Sequence, residues 1–208
     1  MMTVDYIQDD RSYQDMKSDS TRERLVDAAV DTISLSGFNG CGVRDIVDKA
    51  GVPKGSLYNY FRSKEALGCA AVQRYWEQYA IPQLGILTCA SMPPDERIMA
   101  YLDDVRERFE AQGFTGGCMI DNLSAELSDQ SSAMAERLAM VFRVWTEAVD
   151  ACIAEGQAAG TVRATLDPAA TARFIVNALQ GAILRAKVDK TATALDDLSV
   201  AVRLVLSS

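Results

Sequence analysis

Leu25, Ala28, Ala29, Thr32, Ile33 and Ser36 recur at three- and four-residue steps, the period of a helix with one buried face. Ser20 with Glu23 forms a capping-box pattern, so that helix is predicted to start at Ser20 and to stop at Gly37. A shorter stripe, Val43, Ile46, Val47 and Ala50, ends at Gly51. A third segment turns Leu57, Tyr60 and Phe61 to one side and Lys54, Gly55, Tyr58, Asn59 and Arg62 to the other. Ser63 is placed to cap a longer helix reaching about Tyr79, closed by Pro82. Pro93-Pro94-Asp95-Glu96 opens another that ends near Gly113, and a short helix follows Gly116-Gly117 from about Cys118 to Leu127.

The longest stripe is Met134, Leu138, Val141, Phe142, Trp145, Val149, Cys152 and Ile153, with a stop predicted between Gly156 and Gly160. Asp167-Pro168 reads as an N-cap followed by proline at the first helical position of a helix reaching about Val188. A last helix covers about Ala194 to Leu206. No segment alternates as a strand does. The fold class predicted is all-α, with about nine helices: an arm over 1–19, a three-helix head over 20–67, and a helical body over 68–208.

Two helices joined by the tight Gly51–Gly55 turn, the second exposing basic and polar groups, form a device for entering the DNA major groove. The net charge of −8 opposes that reading until it is divided along the chain. Residues 1–20 carry net −3, residues 21–74 net +2, and residues 75–208 net −7. A mildly basic head on an acidic body suits a protein whose head alone meets phosphates. So small an excess makes duplication of the head in a dimer an expected source of affinity.

The chain has no histidine, which removes histidine-dependent triads and the commonest metal ligand. Its five cysteines are widely spaced and show no Cys-x-x-Cys pair, so neither a disulfide framework nor a zinc site is indicated. No carboxylate set suggests a metal and no phosphate loop is present; no cofactor is expected. The acidic, polar N-terminus is unlike a secretory signal, and no apolar run approaches the roughly 18 residues of a membrane span. The cytoplasm is the compartment expected.

Ala28-Ala29, Gly37-Phe38, Ile46-Val47, Ala50-Gly51-Val52, Gly55-Ser56-Leu57-Tyr58, Tyr60-Phe61, Lys64 and Leu67 together resemble the DNA-binding head of TetR-family transcriptional regulators. Asn59 departs from the histidine or tyrosine that many members carry there. In the body, Gly117-Cys118-Met119, Asn122 to Asp129, and Gly181 to Lys187 are similar to a subgroup of reactive-electrophile- and acrylate-responsive repressors. The resemblance implies a homodimer bound to double-stranded operator DNA and released by a small effector.

In the head, phosphate contacts are expected from Arg44, Tyr58 and Lys64, and base contacts from Lys54, Gly55, Ser56 and Asn59, with Tyr60 counted in the DNA-facing set. In the body, Cys118 lies near a helix start, where free N–H groups favour a thiolate, and Lys187 is a candidate cation beside it. The plainer reading of Cys118 is a small buried thiol packed beside Met119. Cys118, Asn122 and Glu126 step by four along one helix face and could border a ligand pocket walled by Trp76, Tyr79, Phe142 and Trp145; each aromatic is otherwise ordinary core. A subunit interface is expected from Trp145, Val149, Cys152, Phe174, Ala178, Gly181, Ala182 and Leu184, whose small members permit close helix approach.

The function expected is a repressor leaving a palindromic operator when a small ligand binds or Cys118 is modified. Against it stand a reversible ligand sensor without cysteine chemistry, an enzyme using Cys118 with Glu126, and a scaffold that has lost DNA binding. The absence of histidine and the completeness of the head weigh against an enzyme, and Lys54, Tyr58 and Lys64 weigh against the scaffold.

Overall fold

The computed structural model describes residues 6–207, with side chains from Ser20 onward. The chain separates into two compact units, Met1–Arg74 and Tyr75–Ser208, so the division falls a few residues beyond the expected 67/68 boundary. The α-helical segments are α1 Tyr6–Ser36, α2 Val43–Ala50, α3 Ser56–Tyr60, α4 Lys64–Tyr75, α5 Ile81–Leu84, α6 Pro94–Ala111, α7 Met119–Leu127, α8 Ser132–Ala159, α9 Pro168–Asp189 and α10 Thr193–Leu206. A π-helical turn, Trp76–Ala80, joins α4 to α5, and a 3-10 turn, Gly85–Thr88, follows α5. With the run 64–84 counted as one helix, the described residues form nine helices and no strand.

The first helix begins at Tyr6, well before the Ser20 capping pattern. Neither Gly nor Pro occurs between Tyr6 and Ser36, so nothing in the backbone forces a later start. The arm expected over 1–19 is therefore helical from Tyr6, and its residues 1–5 lie outside those described. The second departure is at Pro82, which sits in the first turn of α5 rather than ending the helix. Proline lacks an N–H and crowds the carbonyl four residues back. The chain meets this with the widened turn just before it, where the Ile81 N–H bonds the Trp76 carbonyl.

In the first unit, α1 packs on α2 and α3 through Leu25, Ala29, Ile33, Ile46, Val47 and Leu57, all buried. Gly51 ends α2 at φ +63°, a left-handed conformation that glycine adopts without strain. The Val52 N–H closes that end on the Val47 carbonyl at 3.0 Å, and the Arg24 guanidinium reaches from α1 to the Ala50 and Gly51 carbonyls.

In the second unit, α8 packs against α6, α7 and α9, and α10 against α6 and α9. Trp145 Nε1 donates to Tyr101 Oη at 2.6 Å in the middle of this core. Helix α8 runs through Gly156 and stops at Gly160, its left-handed C-cap and the far end of the expected range. A Cβ on Gly156 would stand 2.5 Å from Val162 Cγ2 and 3.3 Å from Pro94 Cβ, so the glycine sets how closely those segments approach. Gly156→Ala would gain about 1 kcal/mol of helix propensity. It would lose about 1–3 kcal/mol to overpacking against a buried, β-branched neighbour. A net loss of stability is expected, read as a lower urea midpoint; an unchanged or raised midpoint would show that Val162 yields freely.

Four residues expected at a subunit interface, Trp145, Val149, Cys152 and Ala182, are buried in the protomer's own core. The wide apolar stripe of α8 is covered by its neighbouring helices, and periodicity alone does not say whether a face meets its own chain or a copy. Phe174 and Leu184 are half exposed, Ala178 is partly covered, and an added Cβ on Gly181 would meet nothing within 4 Å.

Candidate nucleic-acid interface and ligand cavity

The turn from Gly51 to Gly55 delivers α3 with a clear division of faces. Leu57 and Phe61 are buried, and Ser56 N–H bonds the Pro53 carbonyl at 2.8 Å to start the helix. Lys54, Gly55, Tyr58, Asn59 and Arg62 are exposed, while Ser56 and Tyr60 are partly covered. Open space surrounds Gly55, where an added Cβ would meet no atom within 4 Å. Arg44 is exposed on α2 and makes only a loose i,i+4 pair with Asp48 at 3.5 Å. That pairing is weak and leaves the guanidinium available to phosphate.

Lys64, expected at phosphates, is occupied differently. Its ammonium donates to the Phe38 and Cys41 carbonyls and lies 4.1 Å from the Phe38 ring centroid. These contacts tie the α1–α2 connection to the start of α4.

In the second unit, a cavity of about 300 Å³ is lined by residues of α6, α7, α8, α9 and the π turn. Its apolar walls include Val105, Phe109, Ile120, Trp145 and Ile183, with Tyr75 and Cys118 as polar groups. Arg108 is the one cation among the lining residues, and Asp104 holds its Nε at 2.8 Å; Gln83, also in the lining, donates to the same carboxylate at 2.9 Å. The charge at the wall is thus balanced.

Cys118 caps α7, as its position after the glycines suggested. The preceding loop is held from two sides. Asn122 Nδ2 donates to the Gly116 carbonyl at 2.9 Å and Lys190 Nζ to the Phe114 carbonyl at 2.7 Å. Gly116 and Gly117 take φ of +73° and +85°, which side chains with a Cβ rarely adopt. Lys187 does come to this corner: a Cβ on Gly117 would stand 3.5 Å from Lys187 Cδ. Its charge, however, acts on Asp121, countering the upward push of burial there.

The Cys118 thiol is pushed up by burial, with the Asp121 charge adding to the rise. The Ile120 and Asp121 amides and the Tyr75 hydroxyl pull the other way and do not prevail. The thiolate expected from a helix start is therefore outweighed by desolvation, and Cys118 is a neutral thiol at pH 7. Burial likewise holds the Tyr75 hydroxyl protonated. At Cys89 the order reverses: the Ser91 hydroxyl, 3.1 Å from the sulfur, leads the interactions that lower the thiol below its ordinary value. Iodoacetamide at pH 7.5, followed by peptide mass mapping, is expected to label Cys89 before Cys118. Labelling of Cys118 should accelerate only as pH passes above its ordinary 9.0. Earlier labelling of Cys118 would contradict this ordering.

Of the pocket residues anticipated, Cys118, Tyr79 and Trp145 line the cavity. Trp76 is buried against Trp145 with ring centroids 6.2 Å apart and stands behind the wall. Phe142 stacks on Trp145 at 6.3 Å and borders a separate groove between α8 and α9. Asn122 serves the loop, and Glu126 lies outside the lining. Tyr75, Gln83, Val105, Arg108, Phe109 and Ile183 were missed, because they come from helices distant in sequence and no local pattern marks them as neighbours.

Among the described residues no group of His, Cys, Asp or Glu could hold a metal, and no helix is long and apolar enough to cross a membrane. Comparison with known proteins agrees with the two-part geometry. Residues 25–70 match the family described as bacterial regulatory proteins, tetR family, and residues 94–202 match the tetracyclin repressor-like C-terminal domain. The HTH-type transcriptional repressor DhaR of Mycobacterium sp. (strain GP1) is 36% identical, over 90% of this chain and 93% of its own. The regulatory protein TetR from Rhodobacter sphaeroides superposes with a TM-score of 0.83 at 28% identity, covering 88% of this chain and 97% of that one. The reduced form of E. coli NemR superposes with a TM-score of 0.82 at 30% identity, covering 90% and 97%. A helix-turn-helix head joined in one chain to a helical body of this kind is thus matched at both ends, and the chain belongs to the TetR family of DNA-binding transcriptional regulators.

Proposed function

We propose that this chain is a dimeric repressor that binds a palindromic operator in the cytoplasm and leaves it when a small molecule enters the cavity beside Cys118. The observation that carries this is the pairing, in one chain, of an exposed recognition face with an apolar cavity of about 300 Å³, at the small end of ligand sites. Lys54, Gly55, Ser56 and Asn59 would enter the major groove, with Arg44 and Tyr58 on phosphate. Two heads would sit one helical turn apart, about 34–36 Å. Phe174, Gly181, Leu184 and Val188 share one exposed face of α9, which supports α9 as a subunit contact.

Release follows if the effector binds the DNA-free conformation better than the bound one. The neutral, buried Cys118 favours reversible occupancy over direct attack by a thiolate. Covalent modification remains a second route for an electrophile that has first entered the cavity.

Operator DNA is obtainable by selection from a random library with the purified protein. Ala111 is exposed at the cavity rim, so Ala111→Trp obstructs the site without disturbing the core. That variant is expected to hold operator affinity within about twofold while losing release by any compound that quenches Trp145 fluorescence in the wild type. Cys118→Ser should retain release by a reversible ligand and lose it for one that acts through the thiol. Absence of any selected DNA, or undiminished release in Ala111→Trp, would overturn the proposal.

A further inference from the structure

Gln180 is buried at 7% exposure in the middle of α9, and neither its Nε2 nor its Oε1 has a hydrogen-bond partner among the described residues. A buried amide left unpaired on both atoms is costly, and leucine would fill much the same space without that cost. An orphan of this kind calls for a specific explanation. Its position on the helix supplies one. Ile183 lines the cavity, and Lys187 lies against Gly117, which lines it too. At 3.6 residues per turn, Gln180 stands about 60° from Ile183 and about 20° from Lys187 around the helix axis. It therefore continues the Ile183–Lys187 stripe of α9 by one turn, just outside the residues that line the cavity.

We infer that Gln180 is a specificity-determining residue of the effector site. A ligand that enters between Ile183 and Trp145 pairs with both ends of its amide. Such a ligand is uncharged, because the wall's cation is already neutralised by Asp104. It presents a hydrogen-bond acceptor beside a donor on an otherwise apolar body, as a primary carboxamide does. A hydrocarbon of the same shape would leave the Gln180 amide unpaired, which is how a site built around a polar group rejects an analogue lacking it. This inference rests on the reading of the cavity as the effector site.

The probes are cyclohexanecarboxamide, cyclohexyl methyl ketone and isopropylcyclohexane, which are close in size and poor electrophiles. Calorimetry and Trp fluorescence would compare their binding to the wild type, Gln180→Leu and Gln180→Glu. The wild type is expected to prefer the carboxamide to the hydrocarbon by about tenfold or more, with the ketone between them. Gln180→Leu should abolish that order and melt a few degrees higher without ligand, since the orphan amide is gone. Gln180→Glu keeps an acceptor and loses the paired donor, so the carboxamide advantage should fall without inverting.

An unchanged carboxamide preference in Gln180→Leu, with all probes still bound, overturns the role of Gln180 and leaves the cavity reading intact. So does a shift in dimer dissociation with no change in probe preference, which would assign the amide to a subunit contact. Failure of every probe to bind the wild type, together with undiminished effector release in Ala111→Trp, overturns the cavity reading and this inference with it.

Discussion

Replacing Lys54 and Asn59 together with alanine is expected to lower affinity for the selected operator by at least about a hundredfold, with no loss of thermal stability. Both residues are exposed and take no part in the buried contacts of the head. A well-formed side-chain contact to a base edge discriminates by about 1–3 kcal/mol, so two contacts account for about 2–6 kcal/mol in each head. That exceeds the 1.4 kcal/mol that separates tenfold steps in affinity. The loss should fall on the operator and spare random DNA, because base contacts carry sequence information and phosphate contacts do not. Arg44→Ala supplies the contrast: a weaker, sequence-independent loss, with the salt dependence of binding reduced by about one phosphate in each head. Fluorescence anisotropy against operator and scrambled duplexes at several salt concentrations separates the two. Equal losses on both duplexes for the Lys54/Asn59 pair would remove these residues from base reading.

The largest stability effect is expected at Trp145. Truncation of a buried tryptophan to alanine costs about 3–5 kcal/mol through lost burial and an unfilled space. Here the indole also ends a polar link, so Trp145→Ala leaves the hydroxyl of Tyr101, itself 1% exposed, without its 2.6 Å donor. Trp145→Phe retains much of the ring contact to Trp76 and Phe142 and loses chiefly the hydrogen bond, at about 1–3 kcal/mol. A double-mutant cycle of Trp145→Phe with Tyr101→Phe, by urea unfolding, should return a coupling of about 1 kcal/mol or more. Additive losses would show that the two side chains merely lie side by side. Because Trp145 also walls the cavity, the alanine variant should admit bulkier ligands than the wild type wherever it remains folded.

The all-α class and most helix ends were legible because their signals are local. Gly51 stops α2 by backbone geometry, and Asp167 caps α9 by accepting from the Ala170 N–H at 2.9 Å. The exposed side of α3 was legible for the same reason, since five residues of one helix decide what faces outward. Pro82 misled because a widened turn can absorb a proline that would otherwise end a helix. The cavity was largely hidden, because Tyr75, Val105, Arg108 and Ile183 meet only through the packing of separate helices. Spacing put Cys118, Asn122 and Glu126 on one face of α7, yet only Cys118 lines the cavity, as Asn122 turns to the loop it supports. For Cys118, local pattern left a helix-start thiolate and a small buried thiol both open. A helix start is visible in sequence, and the desolvation that overrides it is not.

Burial of Cys118 also limits which oxidants can reach its sulfur. Thiol exchange requires a thiolate and in-line access to sulfur. A protonated sulfur in the wall of a cavity of about 300 Å³ offers neither to a charged tripeptide disulfide. The glutathione poise of the cell would thus pass this site without trace, while a compact uncharged molecule could still reach it. Shape and polarity of the intruder, more than its oxidising strength, would decide what reacts at Cys118.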